Sequence, residues 1–195
     1  MINKTIKETI NNSIKVKADL LANDSLLKQI EDLANKCEQS LRANGKIIFC
    51  GNGGSFADAQ HLSAEFTSRF LFNRPALASI ALGTNSSATT AIGNDYGFDN
   101  IFSRELEALG HSSDVIIAIT TSGNSLNILE VLKVAQKKNI YVAVLTGSKM
   151  GMIPLGTNTL NVPSIDTARI QECHIMIGHI ICGLVEEAIY GDLKV

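Results

Sequence analysis

Tryptophan is absent from this sequence, and aromatic side chains make up only 5% of it. Proteins that grip single-stranded nucleic acid stack its bases on aromatic rings, so the composition argues against that class. Charge of one sign is also scarce: 17 basic and 19 acidic residues leave a formal net charge of −2. That balance provides no basic footprint for nucleic acid. No apolar run reaches the roughly 18 residues that a membrane span needs. The opening segment MINKTIKETINNS is polar and lacks the apolar centre of a secretory leader. The expected location is therefore the cytosol. Cysteine is sparse: Cys37, Cys50, Cys173 and Cys182. Their spacing matches no zinc motif, and a chain of 195 residues needs no disulfide staples. Buried, reduced thiols are the expectation.

What is present is a folded composition, 45% hydrophobic and 18% charged. The length suits a single domain. Residues 3–22 read as a helix, with Ile6, Ile10, Ile14, Lys17 and Leu21 in an i, i+4 rhythm. Asn23, Asp24 and Ser25 offer cap chemistry for a second helix carrying Leu26, Leu27, Ile30, Leu33, Ala34, Cys37 and Leu41. Gly45 stops it. Both helices precede any strand, so residues 1–44 are expected to form an arm outside the core. Its apolar stripe must be buried, either against its own chain or, as we expect, in an oligomer.

From residue 46 onward, short β-rich runs alternate with helical segments. KIIFC (46–50), ALASIAL (76–82), DVIIAIT (114–120), YVAVLT (141–146) and TLNVP (159–163) read as strands. Helices are expected over about 55–70, 86–92, 99–109, 125–138 and 167–190, with GNDYGFDN (93–100) as a polar turn. Continuous apolar strands separated by helices predict a parallel sheet covered on both faces. The fold class is α/β: a doubly wound three-layer sandwich with five parallel strands over residues 45–195. Ligands of such sheets bind beyond the carboxyl ends of the strands.

Two strand-end loops are candidates for that role. Gly51-Asn52-Gly53-Gly54-Ser55 permits close backbone approach and opens a helix whose free N–H groups attract anions. A dinucleotide fingerprint would need glycine at position 56, which is Phe56. Thr120-Thr121-Ser122-Gly123-Asn124-Ser125 places four hydroxyls around one glycine at a second helix start. It can bind a phosphate monoester. It lacks the Gly-Lys-Ser/Thr of a nucleotide-triphosphate loop. A hydroxyl-rich turn with Ser125 as an N-cap is the plain alternative.

His61 and Glu65 share one helical face at i, i+4, and Gln171, His174 and His179 lie on or near the last helix. By spacing alone, His61–Glu65 describes a surface helix pair. His179, among Ile175, Ile177, Ile180 and Ile181, describes a core histidine. His111 reads as a solvated loop residue, and His174 as a packed or supporting one. A carboxylate and an imidazole are nonetheless suited to moving a proton between neighbouring carbons.

CGNGGS, AQHLSAEF, NRPALASIAL, GNDYGFDNIFSRELEALG, TTSGNS and ARIQECHIMIGHII together resemble the sugar isomerase (SIS) domain, and within it the phosphoheptose isomerase family. The resemblance runs from about residue 45 to the end, and the helical arm fits it too. It implies conversion of sedoheptulose 7-phosphate to D-glycero-D-manno-heptose 7-phosphate through an enediol, the first step towards the heptose of bacterial surface polysaccharide. It implies Glu65 and His179 as the acid–base pair. Implied substrate contacts are Asn52, Gly53, Gly54, Ser55, Glu65, Asn94, Asp95, Thr120, Thr121, Ser122, Ser125 and Gln171. It further implies a zinc ion held by His61, Glu65, Gln171 and His179, and a homotetramer.

Gln171 and His179 are eight residues apart, about 12 Å of rise on one helix. Zinc bonds of about 2 Å do not span that gap. Either Gln171 precedes the regular helix, or the two residues reach one site from different subunits. We expect a site at a subunit interface. One departure from the family pattern stands at Ala168, where some members carry Asp before the Arg-Ile-Gln run; Asp166 lies two residues earlier.

Two other classes are weighed against an enzyme. A related non-catalytic scaffold binds the bacterial replication initiator protein but lacks residues matching Glu65 and His179, both present here. Sugar-phosphate-sensing regulators carry an added DNA-binding domain, for which this chain has neither room nor charge.

Overall fold

A computed structural model describes residues 2–194. Two helices come first, α1 (Ile2–Leu21) and α2 (Asp24–Arg42). Asn23 caps α2, its side chain accepting the Leu26 N–H at 3.1 Å. The α/β succession follows: β1 (Ile47–Gly51), α3 (Gly54–Thr67), β2 (Ser79–Ala81), α4 (Ser86–Tyr96), α5 (Ile101–Leu109), β3 (Val115–Ile119), α6 (Leu126–Lys137), β4 (Tyr141–Thr146), β5 (Asn158–Asn161) and α7 (Thr167–Tyr190). All four strand pairings are parallel, in the order β2-β1-β3-β4-β5. This is the doubly wound order whose direction reverses between β1 and β3, where such sheets bind ligands.

Strand alternation sorts the core into two layers. Ile47, Phe49, Val115, Ile117, Ile119, Ala143 and Leu145 face α2, α3 and α7. Ile48, Cys50, Ile116, Ala118 and Val144 face α5 and α6. Each fully buried Leu, Ile or Phe contributes about 1.5–3 kcal/mol, so both layers are needed to hold the sheet. All four cysteines are buried and unpaired. Burial pushes the thiols of Cys37, Cys50 and Cys182 well above the usual range.

Three expectations change. First, α2 is no arm outside the core: Leu26, Ile30, Leu33, Ala34 and Cys37 are buried in the layer with α7. The spacing of its apolar residues, read above as a stripe for a partner, covers the sheet of its own chain. Only α1 keeps an exposed stripe, with Ile6, Ile10 and Ile14 each more than half exposed. An adjacent side is tied to α7: Ser13 Oγ donates to Glu172 at 2.6 Å, and Arg169 donates to the Thr9 carbonyl. Second, Gly93–Tyr96 continue α4 rather than forming a turn. The helix stops at Gly97, where φ is 87°, a conformation that favours glycine. Third, α7 is long and apolar enough to cross a bilayer by length and composition. Its Ile170, Cys173, Ile177, Ile181 and Val185 are instead buried in the core.

Candidate active site

The crevice at the β1/β3 reversal is bounded by the two loops singled out above. Gly53 precedes α3 with φ 57°, and Ser55 N–H donates to the Asn52 carbonyl. Asn52 and Asn127 exchange amide hydrogen bonds, each 2.8 Å. Asn127 is buried in the first turn of α6. The glycine loop is thereby fastened to the helix that the hydroxyl loop opens. A side chain at position 54 would collide with the Gln171 amide, 2.6 Å from an ideal Cβ, so Gln171 lies over the start of α3.

The hydroxyl loop lines a cavity of about 320 Å³ with Thr121, Ser122, Asn124, Ser164 and Thr167. Thr120 Oγ accepts the Gly123 N–H, and Ser122 Oγ accepts the Asn124 N–H. Ser125 occupies the N-cap position of α6, but its side chain makes no cap bond. The plain N-cap role is therefore unfilled, and the hydroxyl stays available to a ligand. Lys149 also lines this cavity. Sequence reading missed it because it lies in an irregular segment after β4.

A second group of side chains lies down the paired helices α3 and α7. Gly178 lets these helices approach, since a Cβ there would meet Leu62 at 2.5 Å. His61 and Glu65 come from α3 and His179 from α7 of the same chain. One ligand atom from each lies within 4.8 Å of the others. His61 Nε2 is 2.8 Å from His179 Nε2 and 3.4 Å from Glu65 Oε1. Two imidazole nitrogens at that distance either share one proton or turn both lone pairs to a common cation. Phe70 stacks on His179 with centroids 5.3 Å apart and planes at 22°. Asp58, one turn before His61, is half-buried; desolvation raises its pKa, and His61 and His179 partly offset this.

Gln171 does not join this cluster. The helix is unbroken from Thr167 to Tyr190, so Gln171 sits two turns from His179, about 12 Å along the axis. The alternative that it precedes the regular helix is thereby removed. Asn94 and Asp95 are exposed at the end of α4, Asn94 donating to the Asp95 carboxylate at 2.8 Å. Asp166 caps α7, one carboxylate oxygen accepting the Ala168 N–H at 2.9 Å. His174 is fully buried, its Nε2 3.2 Å from the Thr146 carbonyl, and is a packed residue. His111 is exposed.

Two loops at a topological switch point and a His–Glu–His cluster make an α/β site suited to a polar or anionic ligand and to proton transfer. The family model described as SIS domain matches residues 12–147. The chain belongs to the SIS domain family. The phosphoheptose isomerase of Aneurinibacillus thermoaerophilus is 51% identical over 192 residues, covering 98% of this chain and 97% of that protein. That of Sulfurimonas denitrificans is 48% identical over 190 residues, covering 97% of each. Among solved structures, phosphoheptose isomerase from Neisseria gonorrhoeae superposes with a TM-score of 0.87 at 41% identity, covering 95% of this chain and 99% of that one. A phosphoheptose isomerase from Francisella tularensis gives 0.90 at 34% identity, covering 96% and 99%. Within the SIS family the chain falls with the phosphoheptose isomerases, which are aldose–ketose isomerases.

Proposed function

We propose that the chain isomerises sedoheptulose 7-phosphate to D-glycero-D-manno-heptose 7-phosphate, supplying heptose for surface polysaccharide. The observation that carries this reading is the meeting of Glu65 and His179, a carboxylate and an imidazole from different helices, in one cluster. In the forward reaction one group of the pair removes a proton from C1 of the ketose. The C–H electrons form the C1–C2 double bond of an enediol, and the C2 oxygen gains a proton. The O1 proton then leaves as the C1 aldehyde forms, and C2 is protonated. General acid–base groups of this kind are worth about 10²–10⁴ in rate. The same pair counts against the scaffold alternative.

Two imidazoles and a carboxylate match a common donor set for zinc. His61, Glu65 and His179 would hold the ion, which supplies Lewis-acid polarisation of the substrate oxygens when bound. For Gln171 to act as a fourth ligand, it must come from a neighbouring copy. The phosphate would sit in the cavity of residues 120–125, on backbone N–H groups, hydroxyls and Lys149.

The two halves of the site are separated along α3 and α7, which favours completion by a second copy. Around His179 the surface is apolar, formed by Phe70, Leu71, Ile175, Met176, Ile180 and Leu184. With the exposed isoleucines of α1, it leaves faces that a homotetramer would cover.

Purified protein incubated with sedoheptulose 7-phosphate in D₂O should incorporate deuterium at C2 of the aldose product, read by NMR. No exchange by the wild type would sink the reading. Exchange surviving both Glu65→Gln and His179→Gln would sink the assignment of the pair.

A further inference from the structure

A buried ion pair is linked to the His–Glu–His cluster by two routes, the Glu65 carbonyl and the backbone of Phe70, whose ring stacks on His179. The side chains of Arg74 and Glu186 are each 1% exposed, with Nε and Oε1 2.9 Å apart. Glu186 lies on α7, seven residues beyond His179. Its carboxylate also accepts the backbone N–H groups of Phe70 and Leu71, at 2.9 and 2.7 Å. Arg74 donates to four carbonyls: Glu65, Phe66, Ser68 and Pro75. The first three lie at the carboxyl end of α3, where carbonyls have no partner within the helix.

Stability alone is a poor account of such a pair, because an apolar pair of similar volume often serves as well. Its hydrogen bonds instead converge on one segment, from Glu65 to Pro75. That segment carries the Glu65 side chain at one end and, at Phe70, the ring that lies against His179. A rigid fork holds it to the helix that bears His179 itself.

We infer that Arg74, Glu186 and Phe70 are positioning residues that set the Glu65 carboxylate and the His179 imidazole against each other. Arg74 and Glu186 act through the end of α3 and the backbone at residues 70 and 71, and Phe70 acts through its ring. The inference rests on the reading of Glu65 and His179 as the proton-transfer pair. Such transfer is sensitive to placement, a displacement of about 1 Å costing on the order of 10²-fold.

The test uses Phe70→Leu, Phe70→Tyr and the apolar double variant Arg74→Met/Glu186→Leu. Two quantities are read: steady-state kcat and KM, and the imidazole C–H resonances of His179, identified by their loss in His179→Gln. A stacked ring shifts those resonances upfield. Phe70→Leu should remove the shift and lower kcat roughly 10–100-fold with KM nearly unchanged, the pattern of a lost transition-state arrangement. Phe70→Tyr should restore both. The double variant should displace the His179 resonances although Phe70 is retained, and kcat should fall with them. A folded double variant with wild-type resonances and wild-type kcat overturns the inference for the ion pair. If the double variant does not fold, Phe70→Leu decides, and unchanged resonances or unchanged kcat overturn the inference. Should the wild type show no isomerase activity, the function reading fails on its own, and the resonances alone still test the placement.

Discussion

Asn52 and Asn127 face each other across the β1/β3 crevice and exchange two amide hydrogen bonds of 2.8 Å. Each amide satisfies the other, so the Asn52 side chain is already engaged when a ligand arrives. The glycine loop then offers a ligand its backbone, held at a set distance from the hydroxyl loop. Asn127→Leu removes both bonds and leaves the Asn52 amide without its partner, which costs about 1–3 kcal/mol of stability. Sugar-phosphate KM should rise several-fold with kcat changed less. Urea unfolding together with initial-rate kinetics would check this, and an unchanged KM would show that the loops are held independently.

Much of this geometry was legible in the sequence, for local reasons. Short β-rich runs marked all five strands, and glycines with hydroxyls marked the two loops that do emerge at the topological switch. The i, i+4 spacing put His61 and Glu65 on one face. What was not legible depends on contacts distant in sequence. His179 joins Glu65 because Gly178 lets α7 lie close against Leu62, a property of two helices more than 100 residues apart. The burial of α2 follows from the sheet face it covers. Asn127 falls inside an ordinary amphipathic helix and carries no motif. Arg74 stands between the helix expected over 55–70 and the strand expected over 76–82, and its partner Glu186 is more than 100 residues away on α7, so no local pattern joins them.

Gly54 opens α3 and Gly123 lies in the hydroxyl loop, and alanine should act differently at each. At Gly54 the new methyl meets only the Gln171 amide, the far end of a flexible side chain. Gly54→Ala should change stability by less than about 1 kcal/mol. It displaces Gln171, however, and KM should rise. At Gly123, φ is +68° and a Cβ would run into the Met150 carbonyl. Gly123→Ala therefore strains the backbone and should destabilise by more than about 1 kcal/mol. Thermal melts and kinetics of the two variants separate ligand displacement from strain; equal melting temperatures would refute the contrast.

Lys149 is the cation lining the hydroxyl-loop cavity. A phosphate dianion there gains Coulomb attraction that salt screens, with a Debye length of about 8 Å at physiological ionic strength. Lys149→Ala should raise KM about tenfold, leave kcat within about two-fold, and flatten the dependence of KM on salt. Lys149→Arg should keep most of the wild-type affinity. The residue is exposed, so the melting temperature should not move. A wild-type KM in Lys149→Ala would remove the residue from the phosphate site.

His174 makes stability depend on pH in a predictable direction. It is fully buried, its Nε2 close to the Thr146 carbonyl and its Nδ1 unpartnered. Burial lowers its pKa from 6.5 to about 4, with the Thr146 hydrogen bond opposing the shift. Above pH 6.5 the imidazole is neutral in both folded and unfolded chains, so it adds no pH dependence. Between pH 6.5 and 4 the unfolded chain takes up a proton that the folded chain refuses. Stability therefore falls as pH falls through that window and levels off below it. From pH 7 to pH 5 the loss from this one group is about 2 kcal/mol. His174→Leu removes the titrating group, although the Thr146 carbonyl keeps only the Val162 N–H and the variant starts less stable at pH 7. Urea unfolding of both proteins at pH 7 and pH 5 isolates the effect as a difference of differences. The wild type should lose about 2 kcal/mol more than the variant on acidification. Equal losses would mean that His174 becomes protonated within the fold at the same pH as in the unfolded chain.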